Sequence, residues 1–259
     1  MTALLEIEDL RVSFAATEAL AGVSFSLGRE RVALVGGSGA GKSLIGRSIL
    51  RLLPAGATLG ARRLVFDGID LLRAGPRELR ALRGRRIGWV LQDPKFSLNP
   101  VMRVGAQIEE ALRLDRALGG ANVRARAIDL LASVHLPEPA RVHGLYPHEL
   151  SGGMGQRTMI AMILAGDPDL LIADEPTSAL DATSAMQVLA VLDELVERRG
   201  MALLFISHDL RLVEGFCDRV LVLEAGRIVE SCEAASLAAA QHPYTRRLMA
   251  ARPHLLDTP

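Results

Sequence analysis

The chain has 259 residues, 49% hydrophobic and 23% charged, a composition that supports a sizeable packed core and excludes a disordered protein. Thirty basic residues balance thirty acidic ones, which argues against a nucleic-acid binder with its basic surplus. No apolar run reaches the roughly 18–20 residues that span a bilayer.

The opening MTALLEIEDL lacks the basic start of a signal peptide. Cys217 and Cys232 form no CxxC pair. A soluble, cytoplasmic chain with reduced thiols is therefore expected. Only Lys42 and Lys95 among the thirty basic residues are lysine, so each lysine asks for a chemical reason.

In chain order, LEIEDLRVSF (5–14) alternates apolar and polar residues and reads as a half-buried strand, and ALAGVSFSLG (19–28) as a second. RVALVG (31–36) is a short apolar run of the kind found in buried parallel strands. KSLIGRSILRLL (42–53) has helical spacing and is stopped by Pro54-Ala55-Gly56. RELRALRGRR (77–86) reads as a solvated basic helix and turn, and IGWVLQDP (87–94) as a strand entering a loop.

From about 101 to 165 the pattern is helical, best in AQIEEALRL, RARAIDLLASV and GQRTMIAMILA. DLLIADEP (169–176) is a buried strand ending in carboxylates, followed by the helical SAMQVLAVLDELVERRG. ALLFISHD (202–209) repeats the strand-to-helix pattern, RVLVLEAGRIVES reads as a hairpin through Ala225-Gly226, and the tail from 233 is mainly helical. Strands alternating with helices imply an α/β parallel sheet, with the helical block as an insertion.

Residues 36–43, GGSGAGKS, fit G-x-x-x-x-G-K-[ST]. A polyphosphate is a dense anion, bound best by several converging backbone N–H groups. Gly36, Gly37, Gly39 and Gly41, with small Ser38 and Ala40 between them, permit that approach. The helix starting near Lys42 adds its positive end. Lys42 reaches the β- and γ-phosphates as a compact charge, where arginine's planar fork would fit poorly. Ser43 offers a hydroxyl to Mg²⁺. A nucleotide polyphosphate with Mg²⁺ is therefore expected, and the resemblance described below implies that the nucleotide is ATP. Asp174, at the end of a buried strand, would hold Mg²⁺ through water, and Glu175 would orient or deprotonate the water that attacks the γ-phosphate.

Further motifs carry a family resemblance. LSGGMGQR (150–157) resembles the signature loop of ABC-type ATPases, Gln92 in LQDP their Q-loop, SALD (178–181) their D-loop, and His208 in ISHD their switch histidine. Phe14 falls where the family places an aromatic ring against adenine. The resemblance implies a P-loop NTPase fold of the ABC type: a RecA-like parallel-sheet core with an N-terminal antiparallel β subdomain (1–92 and 166–232), an inserted helical subdomain (93–165) and a helical tail (233–259).

It also implies that Ser151, Gly152, Gly153 and Asp181 serve ATP held by a second ATP-binding subunit. Glu175, His208 and Gln92 would be catalytic, with Gln92 also joining Ser43 and Asp174 at the metal. Two permease subunits and an extracytoplasmic binding protein would complete an importer, with this chain on the cytoplasmic face of the membrane and no nucleic acid involved. Gly155 departs from the larger, often basic residue usual there, a loss that could weaken but should not abolish the signature contact.

QDPKFSLNPVMRVGAQI, LSGGM and QHPYTRRLM (241–249) are similar to the oligopeptide, dipeptide and nickel importer ATPases. LVGGSG and LLPAG lean toward the nickel-type D subunit. Many peptide-type members carry a cysteine cluster after the HPYT segment, and this sequence has none. Nickel, free or chelated, is thus the expected cargo, with di- or oligopeptides as the alternative. A single set of cassette motifs, without a long heptad run, sets the chain apart from non-transport relatives.

Overall fold

The computed structural model describes residues 3–94, 97–114 and 122–250, so Lys95 and the last part of the tail, 251–259, lie outside the described residues. The chain folds into two compact units: residues up to 75 together with those from 204 onward, and residues 76–203.

The first unit opens with β1 (Leu5–Phe14) and β2 (Thr17–Leu27), an antiparallel hairpin that pairs Leu5 with Leu27 and Phe14 with Thr17, with shifts of register between those ends. Burial alternates on each side of Asp9 (φ 52°), where a bulge shifts the phase by one residue: Leu5 and Ile7 before it and Leu10 and Val12 after it are buried. β3 (Arg31–Val35) buries its last four residues and leads through the glycine loop into α1 (Lys42–Ile49).

Helix α1 ends four residues before the predicted Leu53. Arg51 takes a left-handed φ of 54° and donates from its guanidinium to the Leu71 and Leu72 carbonyls at 2.8 and 2.9 Å. This long-range pair of bonds outweighs the local periodicity. β4 (Ala57–Gly60) and β5 (Arg63–Phe66) both pair with β1, against its C- and N-terminal halves respectively. β6 (Ile69–Asp70) closes on β5. The sequence reading found none of these three individually, because they are two to four residues long.

The second unit begins with α2 (Pro76–Leu82), which buries only Leu82, as a solvated basic helix should. β7 (Ile87–Val90) follows, then α3 (Val104–Arg113), α4 (Val123–Ser133), α5 (Pro139–His143) and α6 (Gly152–Leu164). α4 packs on α3, α5 and α6. β8 (Leu170–Asp174) pairs parallel with β7, Ile87 opposite Leu170, and an Arg86–Asp169 ion pair at 2.7 Å stands at the start of both strands. α7 (Ala182–Arg199) ends at Gly200, which has φ 58°.

β9 (Ala202–Ile206) is wholly buried, and the division between units falls inside it. Its Ala202 N–H donates to Asp169 O at 2.8 Å within the second unit. In the first unit, α8 (Leu210–Phe216), β10 (Arg219–Glu224), β11 (Arg227–Glu233) and α9 (Pro243–Ala250) complete the described chain. Strand order there is β11-β10-β3-β9, with β3 and β10 parallel and β10–β11 antiparallel. The expected hairpin turns at Ala225 and Gly226, both at positive φ. Burial of Leu, Ile and Val throughout these strands contributes about 1.5–3 kcal/mol per side chain.

The α/β class with an N-terminal antiparallel sheet, parallel pairing and a helical block is what the structure shows. Among the described residues, no helix is long and apolar enough to cross a membrane.

Candidate active site

The loop after β3 is shaped by what a Cβ would meet. At Gly36 (φ 154°) it would lie 2.2 Å from Leu223 O, and at Gly41 (φ 103°) 2.6 Å from Leu20 Cδ2. These two glycines let the loop lie against β10 and β2. Gly39 (φ 78°) is different, since its missing Cβ would meet nothing within 4 Å. The loop closes around Lys42, which is only 8% exposed. Its Nζ donates to Gly36 O at 2.8 Å and Gly37 O at 3.0 Å, and the Ala40 N–H also donates to Gly37 O, at 3.2 Å.

Helix α1 starts at Lys42 with no side-chain cap and no acidic residue in its first turn. Its positive end is therefore not neutralised by a carboxylate of its own. A buried cation, left-handed glycines and such a helix start fit a polyphosphate. Among the described residues, no group of three His, Cys, Asp or Glu could hold a metal ion.

Two other candidates belong to this unit. His208 is exposed just past β9, beside Ser207, whose N–H donates to Leu34 O of β3 at 3.3 Å. Asp209 caps α8 by accepting from the Arg211 and Leu212 N–H groups, which fixes the turn carrying His208. Phe14 is half-buried at the mouth of the β1–β2 hairpin. That hairpin is tied to the loop through Gly226, which donates to Ala40 O at 3.2 Å and accepts from Ala21 N–H at 2.9 Å.

The second unit collects the remaining residues. Asp174 ends β8 half-buried, and Glu175 follows with φ 48°. Its carbonyl accepts from the Ser178 N–H at 3.3 Å and the Ser178 hydroxyl at 3.0 Å, which holds this unusual backbone. Left-handed non-glycine residues are uncommon and cluster at functional sites.

Signature residues Gly152 and Gly153 are already helical, with Ser151 as N-cap accepting from Met154 N–H at 3.3 Å. At Gly153 a Cβ would lie 2.7 Å from Ser184 Cβ and Oγ. Ser184 in turn donates from N and Oγ to the two oxygens of Asp181, at 2.9 and 2.7 Å. These backbone and hydroxyl bonds hold the Asp181 carboxyl below its usual range. Asp181 thus caps α7 besides its expected place near nucleotide.

Gln92 is exposed, next to Leu91, whose carbonyl accepts from Gln156 Nε2 at 3.0 Å. Gly155 is buried, and a Cβ there would lie 3.2 Å from Pro94 Cγ. The departure at this position lets α6 approach the Gln92 loop closely. One contact escaped sequence reasoning altogether: the Gly37 N–H donates to Tyr244 Oη at 2.8 Å. Only the HPYT resemblance marked that tyrosine.

Residues 20–178 match the family model described as ABC transporter. The chain is 48% identical to the peptidoglycan transport ATP-binding protein YejF of Agrobacterium fabrum over 96% of its own length, but spans only 47% of that protein. It is 46% identical to a probable peptide ABC transporter ATP-binding protein, y4tR, of Sinorhizobium fredii, covering 95% of this chain and 76% of the relative. Among solved structures it resembles the dimeric ATP-binding cassette MJ0796 in a post-hydrolysis state bound to ADP and Pi. That match has a TM-score of 0.77 at 27% identity, covering 89% of this chain and 98% of the other.

Proposed function

The chain belongs to the ABC transporter family and is an ATPase of its cassette type, and from that premise we propose that it energises import of peptides across a membrane. The observation that carries the nucleotide reading is the buried Lys42 ammonium, bonded to two loop carbonyls at the start of an uncapped helix.

In this reading the loop amides of residues 36–43 and Lys42 hold the β- and γ-phosphates of ATP, and Phe14 stacks on adenine. Ser43, Asp174 and Gln92 would hold Mg²⁺, which supplies positive charge at the phosphates. Glu175 accepts a proton from the attacking water. Oxygen bonds to the γ-phosphorus, the bond to the bridging oxygen breaks, and ADP and phosphate leave. His208 donates a hydrogen bond to the γ-phosphate. Ser151, Gly152, Gly153 and Asp181 serve the ATP of a second cassette subunit, so ATP joins the pair and hydrolysis parts it. The helical segment 93–165 grips one of two permease subunits, which places the chain on the cytoplasmic face of the membrane.

For the cargo, the comparisons favour peptides over nickel. Both relatives named above are described as transporting peptidoglycan or peptide. The nickel preference rests on LVGGSG, LLPAG and a cysteine-poor tail, all outside any cargo path, and neither relative supports it. Uptake by cells with and without the gene separates the two. We expect deletion to abolish growth on peptides while nickel accumulation is kept. Loss of nickel uptake with normal peptide growth would return the assignment to nickel.

A further inference from the structure

The peptide unit joining Gly36 to Gly37 is gripped on both edges. Its carbonyl, Gly36 O, accepts from Lys42 Nζ at 2.8 Å, and its N–H, on Gly37, donates to Tyr244 Oη at 2.8 Å. Glycine on both sides of a peptide plane offers little steric resistance to its rotation. The plane that sets the lysine's anchor therefore needs an external hold, and the tyrosine hydroxyl is placed to give it.

Glycine at 37 also permits the approach, because a Cβ there would lie 3.2 Å from Tyr244 Oη.

Tyr244 is itself held from three sides. The turn entering α9 is fixed by Glu230 of β11, whose Oε1 accepts from the Gln241 and His242 N–H groups at 2.7 and 3.2 Å. Next to Tyr244, Thr245 is fully buried. Arg247 lies over the tyrosine ring, 5.8 Å from its centroid, and pairs with Glu224 at 3.4 Å. Glu224 follows Leu223, the residue against which Gly36 packs. The ring is thus fixed by the same strands, β10 and β11, that back the loop. The tyrosine hydroxyl is presented to the loop by a segment that is anchored to the strands behind it.

We propose that Tyr244 is a positioning residue for nucleotide binding, holding the Gly36–Gly37 peptide plane so that Lys42 meets phosphate in a fixed orientation. The proposal rests on the reading of this loop as an ATP-phosphate site. It makes the C-terminal helix a determinant of nucleotide affinity.

The test is a titration of the full-length chain with a fluorescent ATP analogue, comparing Tyr244→Phe, Gly37→Ala, the double variant and Lys42→Ala, with thermal melting of each. Tyr244→Phe removes one hydroxyl and keeps the ring. It should raise the Kd about 3- to 10-fold, the range for one hydrogen bond, with Tm unchanged. Gly37→Ala crowds the same hydroxyl, so the two substitutions should be non-additive.

An unchanged or tighter Kd in Tyr244→Phe overturns the proposal. So does strict additivity, which would mean that the hydroxyl acts elsewhere, whatever happens to Tm. Lys42→Ala keeps the two failures apart: if it loses ATP while Tyr244→Phe does not, the loop reading stands and the positioning role falls. If Lys42→Ala binds ATP as the parent does, both fall.

Discussion

Lys42 shows how much one residue's chemistry was legible before any coordinates. Its rarity in an arginine-rich chain, and its place after Gly41, pointed to phosphate. The structure adds burial and two carbonyl partners. Lys42→Ala should weaken ATP binding at least ~10-fold, since a charge-assisted hydrogen bond is worth about 1.5–3 kcal/mol. Isothermal titration of the purified chain checks this, and near-parental affinity would remove Lys42 from the site.

Gly36 was less legible. Sequence reasoning assigned its glycine to phosphate approach, whereas the structure shows a second demand, contact with Leu223 O of β10. Such a contact joins positions nearly two hundred residues apart, and no local pattern encodes it. The left-handed φ of Glu175 was equally invisible, because glutamate is not a residue that announces such a backbone.

At the scale of elements, glycine again separates two cases. In α6, Gly153 lies so close to α7 that a Cβ would force Ser184 aside and disturb the Asp181 cap. Gly153→Ala should cost about 1–3 kcal/mol through overpacking and a weakened cap. In α8, a Cβ at Gly215 would meet nothing within 4 Å, so Gly215→Ala should stabilise by about 0.5–1 kcal/mol through helix propensity. Urea denaturation of the two variants should move in opposite directions. A shift of the same sign would contradict this account of α6 and α7.

Among the longer segments, α7 was readable because burial follows its helical repeat, β1 because it alternates on each side of a bulge, and β9 because it is an unbroken apolar run. The start of α6 at Gly152 was not, since two glycines open it against propensity and tertiary packing decides. The short strands β4–β6 carry too few residues for any period to show; pairing with β1 makes strands of β4 and β5, and pairing with β5 makes one of β6. α1 ended early for the same kind of reason, a distant pair of carbonyls capturing Arg51.

For the molecule as a whole, the family membership and the α/β architecture agree with the order of motifs along the chain. Cargo is the part least encoded here, because an ATPase supplies energy and does not touch what is carried. The central claim concerns hydrolysis: this chain cleaves ATP with Glu175 taking the proton from water. Its most direct test is single-turnover phosphate release by the assembled transporter, parent against Glu175→Gln. The substitution keeps size and polarity and removes the base. We predict a rate at least ~100-fold lower, in the range of general-base catalysis, with ATP affinity retained. An undiminished rate of phosphate release from Glu175→Gln would contradict the account.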